Sequence, residues 1–118
     1  MMELKTKRIY QAVDNEDGLR VLVDGLWPRG IKKAEAHIDL WLKEIAPSPS
    51  LRKWFHHTPE KWVEFCHHYH KELDSKKDSL QPVFKALKSE NVTLLYSSKE
   101  EIFNNANALK KYILDFLR

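Results

Sequence analysis

Residues 19–30, LRVLVDGLWPRG, hold a short apolar run that ends in a polar loop containing two glycines. The run at 19–23 has three consecutive apolar residues, which is typical of a strand covered on both faces of a sheet. The turn signal DNEDG precedes it at 14–18. A similar run, VTLLY, occupies 92–96, and a weaker one, RIY, occupies 8–10. We therefore predict three strands, one at each of these runs.

Most of the remaining chain carries helix start signals and apolar stripes. Ser48 followed by Pro49 indicates a helix start, because proline fits the first helical position. Further along, Trp62, Phe65 and Tyr69 recur at the spacing of one helix face. The predicted helices are 40–45 behind an Asp39 cap, 50–56, 59–75, 79–88 behind a capping box of Asp78 and Gln81, and 104–118.

The order of these elements predicts the fold class. Two strands are followed by several helices, a third strand and a last helix. A strand separated from its neighbour by helices needs a crossover connection, which gives at least one parallel pair. We expect an α/β fold: a small, mostly parallel sheet of about three strands with helices packed on its faces, in one compact domain over 1–118.

Composition and charge exclude several classes of protein. The chain has 118 residues, 42% of them apolar, and a formal net charge of +3. These values exclude disordered and collagen-like classes, and the single cysteine excludes a disulfide scaffold. No apolar run reaches the length of a membrane span, and the start lacks the apolar segment of a signal peptide. We therefore expect a cytoplasmic protein without a membrane partner.

The ends of two predicted strands carry the polar side chains of a candidate site. In open α/β sheets, ligands bind beyond the carboxyl ends of the strands. Asp24 ends the second strand and is followed by Trp27, an aromatic surface for stacking, and Arg29, whose planar fork suits a carboxylate or phosphate. Tyr96 and Ser97 end the third strand. An alternative interpretation is that Asp24 and an arginine simply stabilise the turn.

We place a small anionic or nucleotide-like ligand at these strand ends. Asp24 and Tyr96 are the candidates for orienting the ligand or transferring protons, as acid and base. The candidate ligand-binding residues are Trp27, Arg29, Arg52, His57, Ser97 and Asn104. Neither a P-loop nor a glycine-rich dinucleotide turn is present, so we predict no cofactor.

The histidines and the cysteine suggest a metal site, but their spacing argues against one. Cys66 and His70 lie four residues apart and share a helix face, and His57 is a conceivable third ligand. A closed tetrahedral site needs four ligands. We therefore interpret these residues as structural or surface groups and predict no metal. A nucleophilic Cys66 with a histidine base is a further alternative, although its place beside the apolar stripe favours inert packing.

Several segments together resemble a known family. Residues 7–10 are KRIY, 21–30 are VLVDGLWPRG, 51–55 are LRKWF, and 93–97 are TLLYS. The chain is similar over nearly its whole length to the YeaO-like family (domain of unknown function 488), which is bacterial. The resemblance implies a cytoplasmic α/β domain and supplies no established activity.

Three positions depart from the family pattern. Gly25 and His68 stand where the family usually has arginine, and Asn105 stands where it usually has histidine. If these groups carry a reaction in relatives, the resemblance implies altered activity or binding alone in this chain.

Two other functions compete with the small-molecule site. The lysine pairs at 32–33, 76–77 and 110–111 would suit a nucleic-acid accessory domain, because phosphate contacts come from such cations. A protein-interaction module without a ligand is the third hypothesis, and exposure of Trp41, Trp54 or Trp62 would favour it.

Overall fold

Four strands form one sheet in which every neighbouring pair within the described residues is parallel. The structure is a computed structural model that describes residues 2–118. The strands run in the spatial order β1-β4-β2-β3. Their bounds are β1 Leu4–Arg8, β2 Leu19–Leu22, β3 Leu40–Trp41 and β4 Val92–Tyr96. The predicted α/β class with a parallel sheet is confirmed, although the sheet has four strands instead of about three.

The two strongest apolar runs form the two inner strands, β2 and β4. Every residue of β4 is buried. The one polar residue in it, Thr93, donates its hydroxyl hydrogen to the carbonyl of Asp17 at 2.7 Å. A continuous apolar run therefore predicted a strand with both faces covered, as expected for the centre of a parallel sheet.

Residues 2–118 form five α-helices besides the sheet. Ser48 Oγ accepts the N–H of Leu51 at 3.3 Å, and Pro49 is the first helical residue, as the sequence predicted. The apolar face of the longest helix is fully buried at Phe65, Tyr69 and Leu73. The helices are α1 Lys33–Ala36, α2 Pro49–Phe55, α3 Trp62–Asp74, α4 Gln81–Ala86 and α5 Asn105–Phe116, with short 3-10 turns at Asn15–Asp17, Lys43–Ile45, Pro59–Lys61 and Lys77–Leu80.

The first strand lies earlier in the chain than predicted. The prediction was 8–10, whereas β1 pairs with β4 from Leu4 opposite Val92 to Arg8 opposite Tyr96. This segment contains three basic residues. It forms an edge strand, where charged side chains reach solvent, so its sequence carries little strand signal.

The predicted helix at 40–45 was wrong. Leu40–Trp41 pairs with β2 as strand β3, and a 3-10 turn follows at Lys43–Ile45. Asp39 does not cap a helix: its carboxylate accepts the backbone N–H of Arg20 at 2.8 Å, on β2. This short apolar run fits either structure, and its pairing with a distant strand decides the outcome.

The other helices were correctly predicted in type, with shifted ends. The predicted helix 79–88 is α4 preceded by a 3-10 turn, and the Asp78–Gln81 capping box is absent because Leu80 is the residue before α4. The predicted helix 59–75 likewise begins with a 3-10 turn, and 104–118 shortens by one residue at its start and two at its end.

The sheet has a large core on one face and a small one on the other. Alternate residues of β2 and β4 divide between them, as the period of a strand requires. Val21 and Leu94 join the main core under the helices, whereas Leu22 and Leu95 join a small cluster with Ile9. Trp27, Ile31, Ile38 and Trp41 cover that small cluster. The loop after β2 therefore covers one face of the sheet and, at the end of the strand, its carboxyl edge.

Candidate functional site

A cleft of about 440 Å³ lies at the edge of the sheet where β1, β2 and β4 end. This volume falls in the range of small-molecule sites, which is roughly 300–1,000 Å³. Its position agrees with the expectation that ligands bind beyond the carboxyl ends of parallel strands. Of the eight proposed site residues, six line this cleft: Asp24, Trp27, Arg29, Arg52, His57 and Ser97.

Asp24, which lines the cleft, connects three elements. Its Oδ2 accepts the backbone N–H of Ser97 at 2.9 Å and the Ser97 hydroxyl at 2.8 Å. Its Oδ1 accepts the side-chain amide of Asn105 at 3.1 Å, and that amide also donates to the carbonyl of Val23. The carboxylate thus joins the end of β2 to the end of β4 and to the first residue of α5.

Trp27 presents ring surface to the cleft, and its N–H bonds within the protein. Its Nε1 donates to the carbonyl of Ile31 at 2.7 Å. The ring packs edge-on against Trp41, with the centroids 5.4 Å apart. Trp41 in turn donates its Nε1 hydrogen to the carbonyl of Asp24 at 2.8 Å. Contacts of Trp27 with a ligand would therefore use the ring alone.

Arg8, at the end of β1, is held in place by two carbonyl groups. Its Nε donates to the carbonyl oxygens of Ser97 and Ser98, at 3.1 and 3.0 Å. Its guanidinium carbon lies 4.7 Å from the ring centre of Tyr10, at cation–π distance. The Tyr10 hydroxyl donates to the carbonyl of Arg29 at 2.7 Å, so Tyr10 connects the two arginines.

The helix α2 and the loop after it supply Arg52 and His57 on another side of the cleft. Arg52 and His57 are both exposed to solvent. His56 and His57 have φ values of 45° and 52°, a left-handed conformation that is uncommon outside glycine. Nδ1 of His57 lies 3.1 Å from the carbonyl oxygen of Phe103. Because that oxygen can only accept, Nδ1 carries the proton.

The charges around the cleft are unequal. Arg8, Arg29 and Arg52 line it together with a single carboxylate, Asp24. Among residues 2–118, none of these three arginines forms an ion pair. Arg20 is the contrast, since it is buried and paired with Asp17 away from the cleft. The cleft is therefore electropositive, which attracts anions.

Tyr96 and Asn104 lie beside the cleft and do not line it. Tyr96 is 4% exposed, and burial raises the pKa of its phenol. Asn104 is fully buried at the start of α5, where its Oδ1 accepts the N–H of Asn107 at 2.9 Å. The amide of Asn104 donates to the carbonyl of Glu100. The catalytic role of Tyr96 and the binding role of Asn104 remain predictions.

Arg8 lines the cleft but was not predicted from the sequence as a site residue. The predicted strand 8–10 began at Arg8, whereas β1 ends there, so the side chain lies at the carboxyl edge opposite Tyr96. The parallel register of β1 with β4 is the signal that locates it, and residues 4–8 alone do not show that register. Asn105 also lines the cleft, one residue beyond the proposed Asn104.

Of the three positions at which this chain departs from the family pattern, two line the cleft and one does not. Gly25 and Asn105 line the cleft. His68 lies on α3, where its ring packs edge-on against Trp54 with centroids 5.9 Å apart, and it does not line the cleft.

The residues considered above as conceivable metal ligands are not part of a group of three within the described residues. Within the chain from residue 2 onward, no three or more His, Cys, Asp or Glu side chains are grouped for a metal. His70 Nε2 donates to the carbonyl of Ala108 at 2.9 Å. Cys66 is buried, and burial raises the pKa of its thiol, which opposes a nucleophilic role.

The features of the competing hypotheses are dispersed. The lysine pairs lie at the start of α1, around the 3-10 turn before α4, and on α5. Trp54 is 37% exposed, whereas Trp41 and Trp62 are half-buried. None of the helices described in 2–118 has the length and apolar character that crossing a membrane requires.

Comparisons with known proteins place the chain in a family. The profile of a family described as "Inactive DUF488-N3 subclade" matches residues 3–118. The uncharacterized protein YeaO of Escherichia coli strain K12 is 39% identical over 112 residues, covering 95% of this chain and 97% of that protein. An uncharacterized protein of Mycobacterium tuberculosis and one of Mycobacterium bovis are each 46% identical over 70 residues.

The mycobacterial similarity spans only part of each protein. The matched segment is 59% of this chain and 59% of each mycobacterial protein. No solved structure matches this chain. With a profile that covers 3–118 and a relative aligned over 95% of the sequence, the chain belongs to the DUF488 family, in its YeaO-like branch.

Proposed function

We propose that the cleft binds a small anionic ligand and does not transform it. The observation that carries the proposal is the set of three arginines, Arg8, Arg29 and Arg52, around one cleft with one carboxylate. Guanidinium groups at a binding site pair with carboxylate or phosphate through parallel hydrogen bonds. An anionic ligand would supply the negative charge that the described residues do not pair with these three guanidinium groups.

Three features support binding over catalysis. The matching family profile carries the word inactive in its description. Gly25 and Asn105 line the cleft, and the resemblance described above implies arginine and histidine at these two positions in the family. Asp24, the candidate acid or base, accepts three hydrogen bonds from Ser97 and Asn105. Both oxygens of this carboxylate are thus engaged in joining the ends of β2 and β4 to the start of α5.

Isothermal titration calorimetry with nucleotides, sugar phosphates and dicarboxylates tests the proposal at low salt, about 50 mM, where exposed charges are weakly screened. We expect one or more of these anions to bind the wild type. Arg52→Gln should weaken binding about tenfold, which is about 1.4 kcal/mol. Lys53→Gln is the matched control, because Lys53 is the exposed neighbour on α2 and does not line the cleft.

Two results would overturn the proposal. One is the absence of binding by the wild type to every anion in the panel. The other is equal loss of affinity in the Arg52 and Lys53 variants, because it would show a general surface effect and no defined cleft.

A further inference from the structure

We infer that the cleft recognises a phosphate monoester and that Arg8 is the residue that anchors its dianionic group. This inference rests on the proposed function and narrows the class of anion. It assigns the principal contact to a half-buried residue at the end of β1 instead of to the more exposed Arg29 and Arg52.

The hydrogen bonds of Arg8 orient its guanidinium before any ligand arrives. Its Nε–H donates to the carbonyl oxygens of Ser97 and Ser98, and its guanidinium carbon lies over the ring of Tyr10, 4.7 Å from the ring centre. Its two terminal nitrogens make no hydrogen bond within residues 2–118. Every buried side-chain nitrogen or oxygen described there does have a hydrogen-bond partner. The terminal nitrogens are therefore open to solvent.

The free edge of Arg8 fits two oxygens of one anion. With Nε engaged, the two terminal nitrogens form the remaining fork, and such a fork binds phosphate or carboxylate with two parallel hydrogen bonds. Ordering a long, flexible side chain at a binding site has a cost in conformational entropy that weakens binding. Arg8 is already ordered by its contacts, whereas Arg29 and Arg52 are exposed and make no side-chain hydrogen bond within the described chain.

The charge of the cleft favours a dianion. Its three arginines exceed its single carboxylate, Asp24, by two positive charges. A phosphate monoester carries about −1.5 to −2 at neutral pH and offers three strong acceptor oxygens. A lone carboxylate has half that charge and two oxygens, and it would leave one of the guanidinium groups unmatched.

The cleft also has space and apolar surface for the body that carries the phosphate. Besides the polar residues, Trp27, Phe55 and Phe65 line it. The cavity of about 440 Å³ is larger than a phosphate group needs. The ligand is thus a compact organic phosphate, either a nucleotide or a sugar phosphate.

Calorimetry with three probes tests the charge requirement on the wild-type protein. AMP has a terminal phosphate monoester, cyclic AMP has the same base and sugar with a singly charged diester, and ribose 5-phosphate has the monoester without the base. We expect AMP to bind at least about tenfold more tightly than cyclic AMP. If AMP binds more tightly than ribose 5-phosphate, the base also contributes to the affinity. If the two bind equally, the phosphate group is what the cleft recognises. Both results support the inference.

Arg8→Lys tests the anchor, because it keeps the charge and removes the fork. We expect AMP affinity to fall about tenfold or more in Arg8→Lys and to stay within about twofold in the control Arg118→Lys. Arg118 is an exposed arginine in a 3.8 Å surface pair with Asp115, so its replacement leaves the cleft intact. The side-chain Nε–H resonance of Arg8, followed by NMR during AMP titration, gives the same test on the wild type should Arg8→Lys fail to fold.

The possible failures are distinguishable. Binding of dicarboxylates without binding of AMP or ribose 5-phosphate overturns this inference and leaves the proposed function standing. Equal affinity for AMP and cyclic AMP overturns the dianion requirement. Unchanged AMP binding by Arg8→Lys, or an Arg8 resonance unmoved by saturating AMP, overturns the anchor. No binding of any anion overturns this inference and the proposed function together.

Discussion

The carboxylate of Asp24 holds the ends of β2 and β4 together by accepting two hydrogen bonds from Ser97 on the same oxygen. The backbone N–H lies at 2.9 Å and the hydroxyl at 2.8 Å. The Ser97 carbonyl then accepts from Arg8 at the end of β1. Three strand ends are thus connected in sequence through Ser97, and the geometry of the cleft depends on that connection.

Replacing Asp24 with asparagine should destabilise the protein. An amide in the same place can present only one acceptor oxygen, so its NH₂ group would face donors of Ser97 or Asn105. We expect a loss of about 1–3 kcal/mol in the free energy of unfolding, measured by urea denaturation. Ser97→Ala, which removes only the hydroxyl, should cost about 0.5–1.5 kcal/mol. A smaller loss in Asp24→Asn than in Ser97→Ala would contradict this account.

Much of the fold was predictable because its centre is coded by local sequence. The apolar runs of β2 and β4 and the Ser48–Pro49 start of α2 depend on neighbouring residues alone. The edge strands were not predictable in this way. Leu4–Arg8 has basic side chains and Leu40–Trp41 is only two residues long, so each becomes a strand through pairing with a distant partner.

The candidate site followed the same division. Four of the predicted site residues follow the inner strands: Asp24, Trp27, Arg29 and Ser97. Because the positions of those strands were predicted correctly, the positions of these residues were also predicted correctly. Arg8 belongs to the misplaced edge strand and was missed for that reason. Tyr96 belongs to β4, in which every residue is buried, and Asn104 is the buried residue that caps α5, so neither side chain lines the cleft.

The buried pair of Asp17 and Arg20 should make stability depend on pH. Burial by itself would raise the pKa of Asp17, but the N–H of Asp14 and the cations of Lys7 and Arg20 together lower it below 3.8. A carboxylate with a lowered folded-state pKa stabilises the protein above its unfolded pKa. That contribution is lost as pH falls through the folded pKa.

Asp17→Asn measures the contribution of this pair. At neutral pH we expect the substitution to cost about 3–5 kcal/mol, because it leaves the buried Arg20 without a countercharge. The difference from wild type should shrink as pH falls below about 4. Asp115→Asn is the control, since its pair with Arg118 is exposed and should contribute little at any pH. A difference that stays constant in acid would argue against the pair as its source.

Gly18 and Gly30 should differ sharply in their response to alanine. Both have positive φ, 65° and 79°. A Cβ at Gly18 would lie 2.0 Å from the backbone oxygen of Asn91, whereas a Cβ at Gly30 would meet no atom within 4 Å. We expect Gly30→Ala to cost about 1–2 kcal/mol from the backbone alone. Gly18→Ala should lose more than about 4 kcal/mol or fail to fold. Thermal denaturation of both variants checks the order, and comparable stability would refute it.

Cys66 should be unreactive in the folded protein. It is 6% exposed, and burial raises the pKa of its thiol despite the nearby charge of Lys111. Because the thiolate is the reactive form, alkylation by a maleimide should be on the order of a hundredfold slower than in urea-unfolded protein. Labelling at similar rates in the two states would show an accessible thiol and reopen the nucleophile hypothesis.

Gly25→Arg should add a cation to the cleft without disturbing the fold. Gly25 is outside the positive-φ region, and a Cβ there would lie 3.5 Å from the Cβ of Ala46, an ordinary contact. We therefore expect the free energy of unfolding to change by no more than about 0.5 kcal/mol.

The new guanidinium would lie near Arg52, whose terminal nitrogen is 4.0 Å from that Cβ position. The increased positive potential should tighten anion binding about tenfold at low salt and less at high salt. Gly25→Gln, similar in length and uncharged, separates charge from bulk: it should bind no better than wild type. If both variants bind more tightly, added contact area and not electrostatics governs this wall of the cleft.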